Sequence, residues 1–524
     1  MTSPTRLSYI SGLDGIRGLA VLAVLCYHAG ARWALGGFLG VETFFVLSGF
    51  LITSLLLAEW QASGRIDLKT FWLRRARRLL PAVWLLLVIL PALAILFGRD
   101  ALPRLREDIP AALFYVTNWV FIFREVPYFE AFGRPPLLQQ LWSLAVEEQF
   151  YLLWPLILLI LLRKLKNKRS LLTGVVLLMV VISSGLMAAL YSPSEDPLRV
   201  YYGTDTRAAG FLVGAMLAMI WTPRKASQAV GRLLLEMLGW SGLVALLSLY
   251  VYLNEFRPFL YRGGILITAL ASALLIVGAS TSVTSLSKLL ESRILRWIGT
   301  RSYSIYLWHW PIFMLTRPGI DIHLPALPVR LGQLAITFGL AELSYRWIES
   351  LVRHHGFRSS FRLWRASFMR WPVPQKLVTG VGVFSAVLVI AWQGSAPLAE
   401  RQADAIPALQ YSPTAEYVTP TLSSSTLQDA RSAPTPQARI IAQRDTVTNQ
   451  STPAVVLPEN VPHVTFIGDS IMQGARPMME DRLSKDIYID AARKRRMEDV
   501  PALIETLAET GHLGSVVVIH LGSN

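Results

Sequence analysis

Arg17 and His28 are the only basic side chains in the stretch from Leu13 to Ala29, which is otherwise apolar apart from Asp14. On a helix, a separation of eleven residues brings His28 to within about 20° of Arg17, roughly 16 Å further along the axis. Asp14 falls on the same face. Ionisable groups inside an apolar helix are costly and mark function by default. Histidine suits proton transfer near neutral pH, and arginine suits the holding of an anion. The plainer alternative is a polar face packed against neighbouring helices.

Four further clusters carry chemistry. Phe71-Trp72-Leu73-Arg74-Arg75-Ala76-Arg77-Arg78 offers guanidinium forks for a phosphate-bearing cofactor, or serves only to orient a membrane loop. In Leu141-Trp142-Ser143-Leu144-Ala145-Val146-Glu147-Glu148-Gln149-Phe150-Tyr151, the side chains of Ser143, Glu147 and Tyr151 recur every four residues on one face. Glu147 could equally favour a helix N-terminus. Tyr201-Tyr202-Gly203-Thr204-Asp205-Thr206-Arg207 places an acid and a base two residues apart, which could be only a local ion pair. Ser302-Tyr303-Ser304-Ile305-Tyr306-Leu307-Trp308-His309-Trp310-Pro311 resembles an interfacial aromatic belt, but His309 does not belong to one by type.

The elements that must position these residues are membrane helices. Apolar runs of about 18 to 22 residues recur from residue 14 to residue 393 and are long enough to span a bilayer. The spans read as 14–31, 38–58, 79–97, 147–162, 171–190, 207–221, 235–253, 262–279, 302–316, 327–348 and 376–393. Segment 109–123 is apolar too. Counting it as a span would put the basic stretch from Arg163 to Arg169 outside, whereas without it every strongly basic loop falls inside. The expectation is therefore eleven spans, N-terminus inside, C-terminus outside, with 109–123 a shallow or re-entrant helix.

Composition agrees. The 524 residues include only 16% charged residues, against about 25% for soluble domains, and mean hydropathy is +0.43. The net charge of +15 could suggest nucleic acid, but the basic residues cluster in short loops between apolar runs (Arg74–Arg78, Arg163–Arg169, Arg293–Arg301, Arg353–Arg370). That placement points to a lipid bilayer and to no nucleic acid. One cysteine, Cys26, lies in the first span, so no disulfide framework exists. The N-terminus has no cleavable-signal pattern.

Beyond Trp392 the pattern changes. Residues 394–460 are rich in Ser, Thr, Pro, Ala and Gln and read as a flexible linker. Val464-Thr465-Phe466-Ile467 then reads as a buried strand running into Gly468-Asp469-Ser470. A helical stretch covers 500–510, and a second strand, Val516-Val517-Val518-Ile519, ends at Leu521-Gly522-Ser523-Asn524. Strand, helix and strand suggest the start of a parallel α/β domain. A small α/β domain needs about 100 residues, so this one reads as incomplete.

The Arg17/His28 element, the arginines at Arg74, Arg75 and Arg78, the Ser143–Tyr151 element and the Tyr202/Asp205/Arg207 element together resemble the acyltransferase-3 family, in that family's order, over roughly residues 8–350. The resemblance implies an all-α polytopic membrane protein with four regions. These are a transmembrane domain at 1–350, a basic loop and last helix at 351–393, the linker at 394–460 and a partial α/β domain at 461–524. It implies acyl transfer, usually acetyl, from acyl-CoA inside to a glycan outside, at the bacterial cytoplasmic membrane and without a metal. His28 would be the base, with Glu147, His309, Tyr202 and Asp205 completing the catalytic set. Tyr202 is preferred over Tyr201 as an acyl acceptor or acid. Arg17, Arg74, Arg75, Arg78, Asp14 and Arg207 would serve the cofactor.

Gly468-Asp469-Ser470 after a strand resembles the first block of the SGNH-hydrolase fold. The resemblance implies Ser470 as nucleophile and Asn524 as oxyanion donor. Two departures stand out. The region Asp490–Arg496 lacks the family's glycine, and the family's Asp-x-x-His pair would lie beyond Asn524. His512 and His520 are poor substitutes. The fusion of the two parts resembles bacterial O-acetyltransferases of peptidoglycan and lipopolysaccharide, with a cell-envelope glycan as acceptor and Ser470 as a relay. The competing readings are a transporter, which releases no coenzyme A, and an esterase, which needs the missing Asp and His.

Overall fold

The computed structural model describes residues 9–370, apart from 130–133, 167, 194, 223–230 and 282, and a set of stretches between residues 464 and 521. The expected span 376–393, the linker, Ser470 and Asn524 lie outside the described residues. The chain divides into two units at Gly394.

The first unit is helical: α1 Ser11–His28, α2 Gly40–Ser63, α3 Leu68–Phe97, α4 Leu102–Leu113, α5 Thr117–Phe123, α6 Leu141–Lys164, α7 Arg169–Leu190, α8 Leu198–Tyr202, α9 Thr204–Ile220, α10 Arg232–Tyr252, α11 Ile265–Ala279, α12 Ser285–Leu290, α13 Arg293–Leu315, α14 Ala326–Ser344 and α15 Ser350–Arg370. The long helices coincide with the ten expected spans before residue 350. Among the described residues, six are long and apolar enough to cross a membrane by length and composition alone: Gly37–Ser63, Leu68–Phe97, Leu141–Lys164, Arg169–Leu190, Arg232–Tyr252 and Leu260–Ala279. On α7, Leu177, Leu178, Val181 and Ile182 are exposed, as a helix face meeting lipid requires.

Local chemistry sets several ends. Gly64 closes α2 in the left-handed region at φ 64°, a conformation glycine adopts without steric cost. Asp67 caps α3, its Oδ1 accepting from Thr70 N at 3.0 Å. Segment 109–123 breaks into α4 and α5 around Tyr115, which sits at φ 53°. Neither piece is long enough to span a bilayer. A polar lattice fastens α5 to its neighbours: Asn118 Nδ2 donates to the Tyr202 carbonyl and to Thr204 Oγ1, each at 3.0 Å, and Gln149 Nε2 donates to Asn118 Oδ1 at 3.0 Å.

Helices α1 and α13 pack along their length, and glycine sets their register. A Cβ on Gly299 would sit 1.7 Å from the carbonyl oxygen of Asp14, and one on Gly18 would sit 2.6 Å from that of Leu295. Small residues at such crossings let backbones touch. From that contact the two helices run in the same sense toward His28 and His309.

In the second unit, β1 Val464–Gly468, β2 Ile487–Ala491 and β3 Val516–His520 form a parallel sheet in the order β2-β1-β3. Val464 is in register with Ile487 and with Val516. Helix α16, Val500–Glu509, lies between β2 and β3 in sequence and buries Val500 and Leu507 with Ile467. The two strands and the helix expected from sequence are present. Strand β2 was not expected, because Ile487-Tyr488-Ile489-Asp490-Ala491 is short and mixed in polarity.

Candidate active site

At the C-terminal end of α1, His28 meets His309 from α13, with His28 Nδ1 3.0 Å from His309 Nε2. The rings stack at 5.1 Å between centroids, and Trp310 stands edge-on to His28 at 4.8 Å. On its far side, His309 Nδ1 lies 2.7 Å from the carbonyl oxygen of Tyr306. A carbonyl only accepts, so Nδ1 of His309 carries the proton. With both rings neutral, His309 Nε2 is then the acceptor and His28 Nδ1 the donor. The lone pair of His28 is thereby fixed on Nε2, which lies 3.3 Å from the hydroxyl of Tyr128. One histidine sets the tautomer of the other, as an orienting carboxylate does for a catalytic imidazole.

A cavity with about 70 Å³ of water-accessible space is lined by α1, α2, α3, α6 and α13, and its lining reaches Tyr306, whose carbonyl holds His309. Arg17, Arg75 and Arg78 contribute positive charge to it, and Ser143, Glu147, Tyr151 and Tyr306 contribute polar groups. Arg17 Nη1 donates to Asp14 Oδ1 at 3.1 Å, and Tyr9 donates to the same carboxylate. Glu147 Oε1 accepts from Ser48 Oγ at 2.6 Å and from Tyr151. The Arg75 guanidinium lies over the Tyr151 ring, 5.3 Å from its centroid. Glu147 is therefore held by hydroxyls facing the cavity, an arrangement distinct from a helix cap.

The cavity thus gathers Arg17, Arg75, Arg78 and Glu147 from three separate motifs. Arg74, one residue from Arg75, points away and is exposed. Asp205 and Arg207 do not pair with each other. Asp205 binds Arg199 at 2.5 Å, and Arg207 lies 2.9 Å from Glu42, with both partners buried. Arg207 is boxed by the rings of Phe45, Trp142 and Tyr201. Tyr202 is fully buried, and its hydroxyl accepts from Gln139 Nε2 at 3.1 Å. Tyr201 packs on Tyr128 at 4.7 Å. Among the described residues, no group of three or more His, Cys, Asp or Glu is placed to hold a metal.

Sequence reasoning missed Tyr128 and Glu42. Tyr128 stands in an irregular stretch with no periodic signal. Glu42 was visible as an acid within an apolar span, a signal of the same kind that singled out Arg17.

The chain is a membrane-embedded helical unit with a charged cavity, joined through Tyr306 to a buried histidine pair, and the comparisons with known proteins give its class. The acyltransferase-3 model, described as an acyltransferase domain, matches residues 10–345; the chain belongs to this family. It is 38% identical to the peptidoglycan O-acetyltransferase OatA of Listeria monocytogenes, over all of this chain and 86% of that one. It is 44% identical to the putative peptidoglycan O-acetyltransferase YrhL of Bacillus subtilis, over 73% of this chain and 61% of that one. A putative O-acetyltransferase of Staphylococcus aureus is 40% identical over 70% of this chain and 61% of its own length. No solved structure matches the chain.

Proposed function

We propose that this protein is an O-acetyltransferase that moves an acetyl group from acyl-CoA in the cytoplasm to a hydroxyl of the cell-wall glycan, peptidoglycan in the first instance. The His28–His309 pair, joined through Tyr306 to an arginine-lined cavity, carries this reading. In the topology that goes with it, the chain spans the membrane eleven times, with the N-terminus inside and the partial α/β unit outside.

Arg17, Arg75 and Arg78 hold the phosphates of the donor, since guanidinium forks match phosphate oxygens. Arg17 is itself steadied by Asp14. His28 Nε2 takes the proton of an attacking hydroxyl. The hydroxyl oxygen forms its bond to the thioester carbonyl carbon, the carbon–sulfur bond breaks, and the departing thiolate recovers the proton from His28. Tyr128 is the hydroxyl already in contact with Nε2, which makes it the first acceptor by geometry in place of Tyr202. Tyr202 and the ion pairs of Asp205 and Arg207 hold the surrounding helices. Ser470, with Asn524 as oxyanion donor, would relay the group to the sugar in an SGNH-like unit.

The test is release of free coenzyme A from acetyl-CoA by the purified protein in lipid nanodiscs, together with acetyl on a muropeptide acceptor. His28→Ala should abolish both while leaving the protein folded in the membrane. A fully active variant would remove His28 from the mechanism. Solute movement with no coenzyme A released would identify a transporter.

A further inference from the structure

Two hydroxyls on the cavity lining, Ser143 and Tyr306, have no part in the steps above. Tyr306 Oη lies 2.7 Å from Ser143 Oγ and donates to the Gln140 carbonyl at 3.0 Å. Ser143 Oγ lies 3.2 Å from that same carbonyl oxygen. Both side chains line the cavity, although each is nearly buried. Two O–H donors thus converge, and the one acceptor they share besides each other is a backbone carbonyl.

That carbonyl does not depend on them. Gln140 immediately precedes α6, and the carbonyl at this position accepts the first bond of its own helix. If the hydroxyls turned away, Gln140 would keep that bond. A carbonyl entering from the cavity could take its place with the hydrogen-bond count unchanged. Tyr306 also ties this point to the base, because its own carbonyl fixes the proton on His309 Nδ1. One residue therefore presents a hydroxyl to the cavity and orients the histidine pair behind it.

We propose that Ser143 and Tyr306 form the acyl subsite of the donor cavity. Their hydroxyls leave the Gln140 carbonyl for the thioester carbonyl oxygen of a short-chain acyl-CoA, and they hold the negative charge that grows on that oxygen as the attacking oxygen bonds to carbon. The proposal rests on the acyl-CoA reading given above.

The test compares binding of coenzyme A and acetyl-CoA, and turnover, in the full chain in nanodiscs. Tyr306→Phe should bind coenzyme A as the unaltered protein does. It should lose about tenfold in its preference for acetyl-CoA over coenzyme A, the worth of about one hydrogen bond. Its kcat should fall about a hundredfold with KM little changed, the size seen on loss of an oxyanion donor. Ser143→Ala should behave alike, with Ser143→Thr restoring the preference, and this pair decides the matter if Tyr306→Phe does not fold. A lower melting temperature with preference and kcat intact would reduce the two hydroxyls to a tie between α6 and α13 and overturn the proposal. If the unaltered protein binds neither nucleotide, the donor reading itself falls. If it binds coenzyme A and the variants keep the preference, only the acyl subsite falls.

Discussion

At one end of the cavity, Arg17, Arg75 and Arg78 bring three fixed positive charges to a small space, with Glu147 nearby on the same lining. At the other, Ser143 and Tyr306 line it and lead through His309 and His28 to Tyr128, a chain of neutral hydrogen-bonding groups with no fixed charge among them. The first arrangement attracts an anion from a distance and tolerates some looseness, because Coulomb attraction falls off gradually. The second works only at contact distance, because a tautomer relay fails when one nitrogen loses its partner. The difference teaches where tolerance and precision lie in this protein, and substitutions at the two ends should therefore fail in different ways.

The largest effect after loss of His28 itself is expected at His309. His309→Ala should lower kcat about ten-thousandfold, the order seen when the group that orients a catalytic imidazole is lost, while coenzyme A binding stays unchanged. Equal loss of binding would mean that the two ends are not separable. Gly299→Ala comes next. The new methyl would meet the Asp14 carbonyl at 1.7 Å, so α1 and α13 must part, at about 1–3 kcal/mol. We expect a lower melting temperature, and a fall in kcat larger than the rise in KM, because His28 and His309 lose register. An unchanged kcat would show that the pair tolerates more movement than its geometry suggests.

At the arginine end, Arg75→Ala or Arg78→Ala should raise KM for acetyl-CoA about tenfold, one charge-assisted contact's worth, with little change in kcat. Arg74→Ala should do neither. Steady-state kinetics on the three variants would separate a cavity built from chosen arginines from a generally basic loop.

The smallest effect lies away from both ends. Asp321 binds Arg317 and Arg134, with Oδ2 accepting from Arg317 Nε at 2.9 Å and Oδ1 from Arg134 Nη2 at 2.8 Å. Partial burial acts to raise its pKa, but the hydrogen bonds from the two arginines prevail and hold it at about 2. A depressed carboxylate stabilises the fold above its unfolded pKa, near 3.9, and that contribution disappears as pH falls through the folded value. The loop between α13 and α14 should therefore loosen between about pH 4 and pH 2. Asp321→Asn should lower the melting temperature slightly at neutral pH and flatten that acid dependence, without altering the kinetics at either end of the cavity.

Much of the membrane unit was legible in the chain. Ten apolar runs became helices, because twenty apolar residues in sequence leave the backbone few ways to satisfy its own hydrogen bonds in lipid. The basic residues before the third run and before the ninth also joined their helices, which start at Leu68 and Arg293. Segment 109–123 was rightly set apart by charge placement, but its break at Tyr115 was not foreseen. Arg74 and Arg75 look alike in sequence and diverge in space, since adjacent residues on a helix point about 100° apart. The plainer alternative of a local pair between Asp205 and Arg207 gave way to Arg199 and Glu42 as partners, because residues two apart on a helix do not face each other.

By itself, the sequence determined which residue types sit inside the membrane and at what helical spacing, and therefore the acyltransferase-3 family of the chain and the candidacy of Arg17, His28, Glu147 and His309. Only the tertiary structure decided which of them meet. The glycine contact between α1 and α13 brings His28 within a hydrogen bond of His309, 281 residues away in sequence. The Tyr306 carbonyl then fixes which nitrogen of His28 keeps its lone pair. Spacing along one helix carries no information about what a second helix presents to it, and a tautomer is set by that neighbour alone.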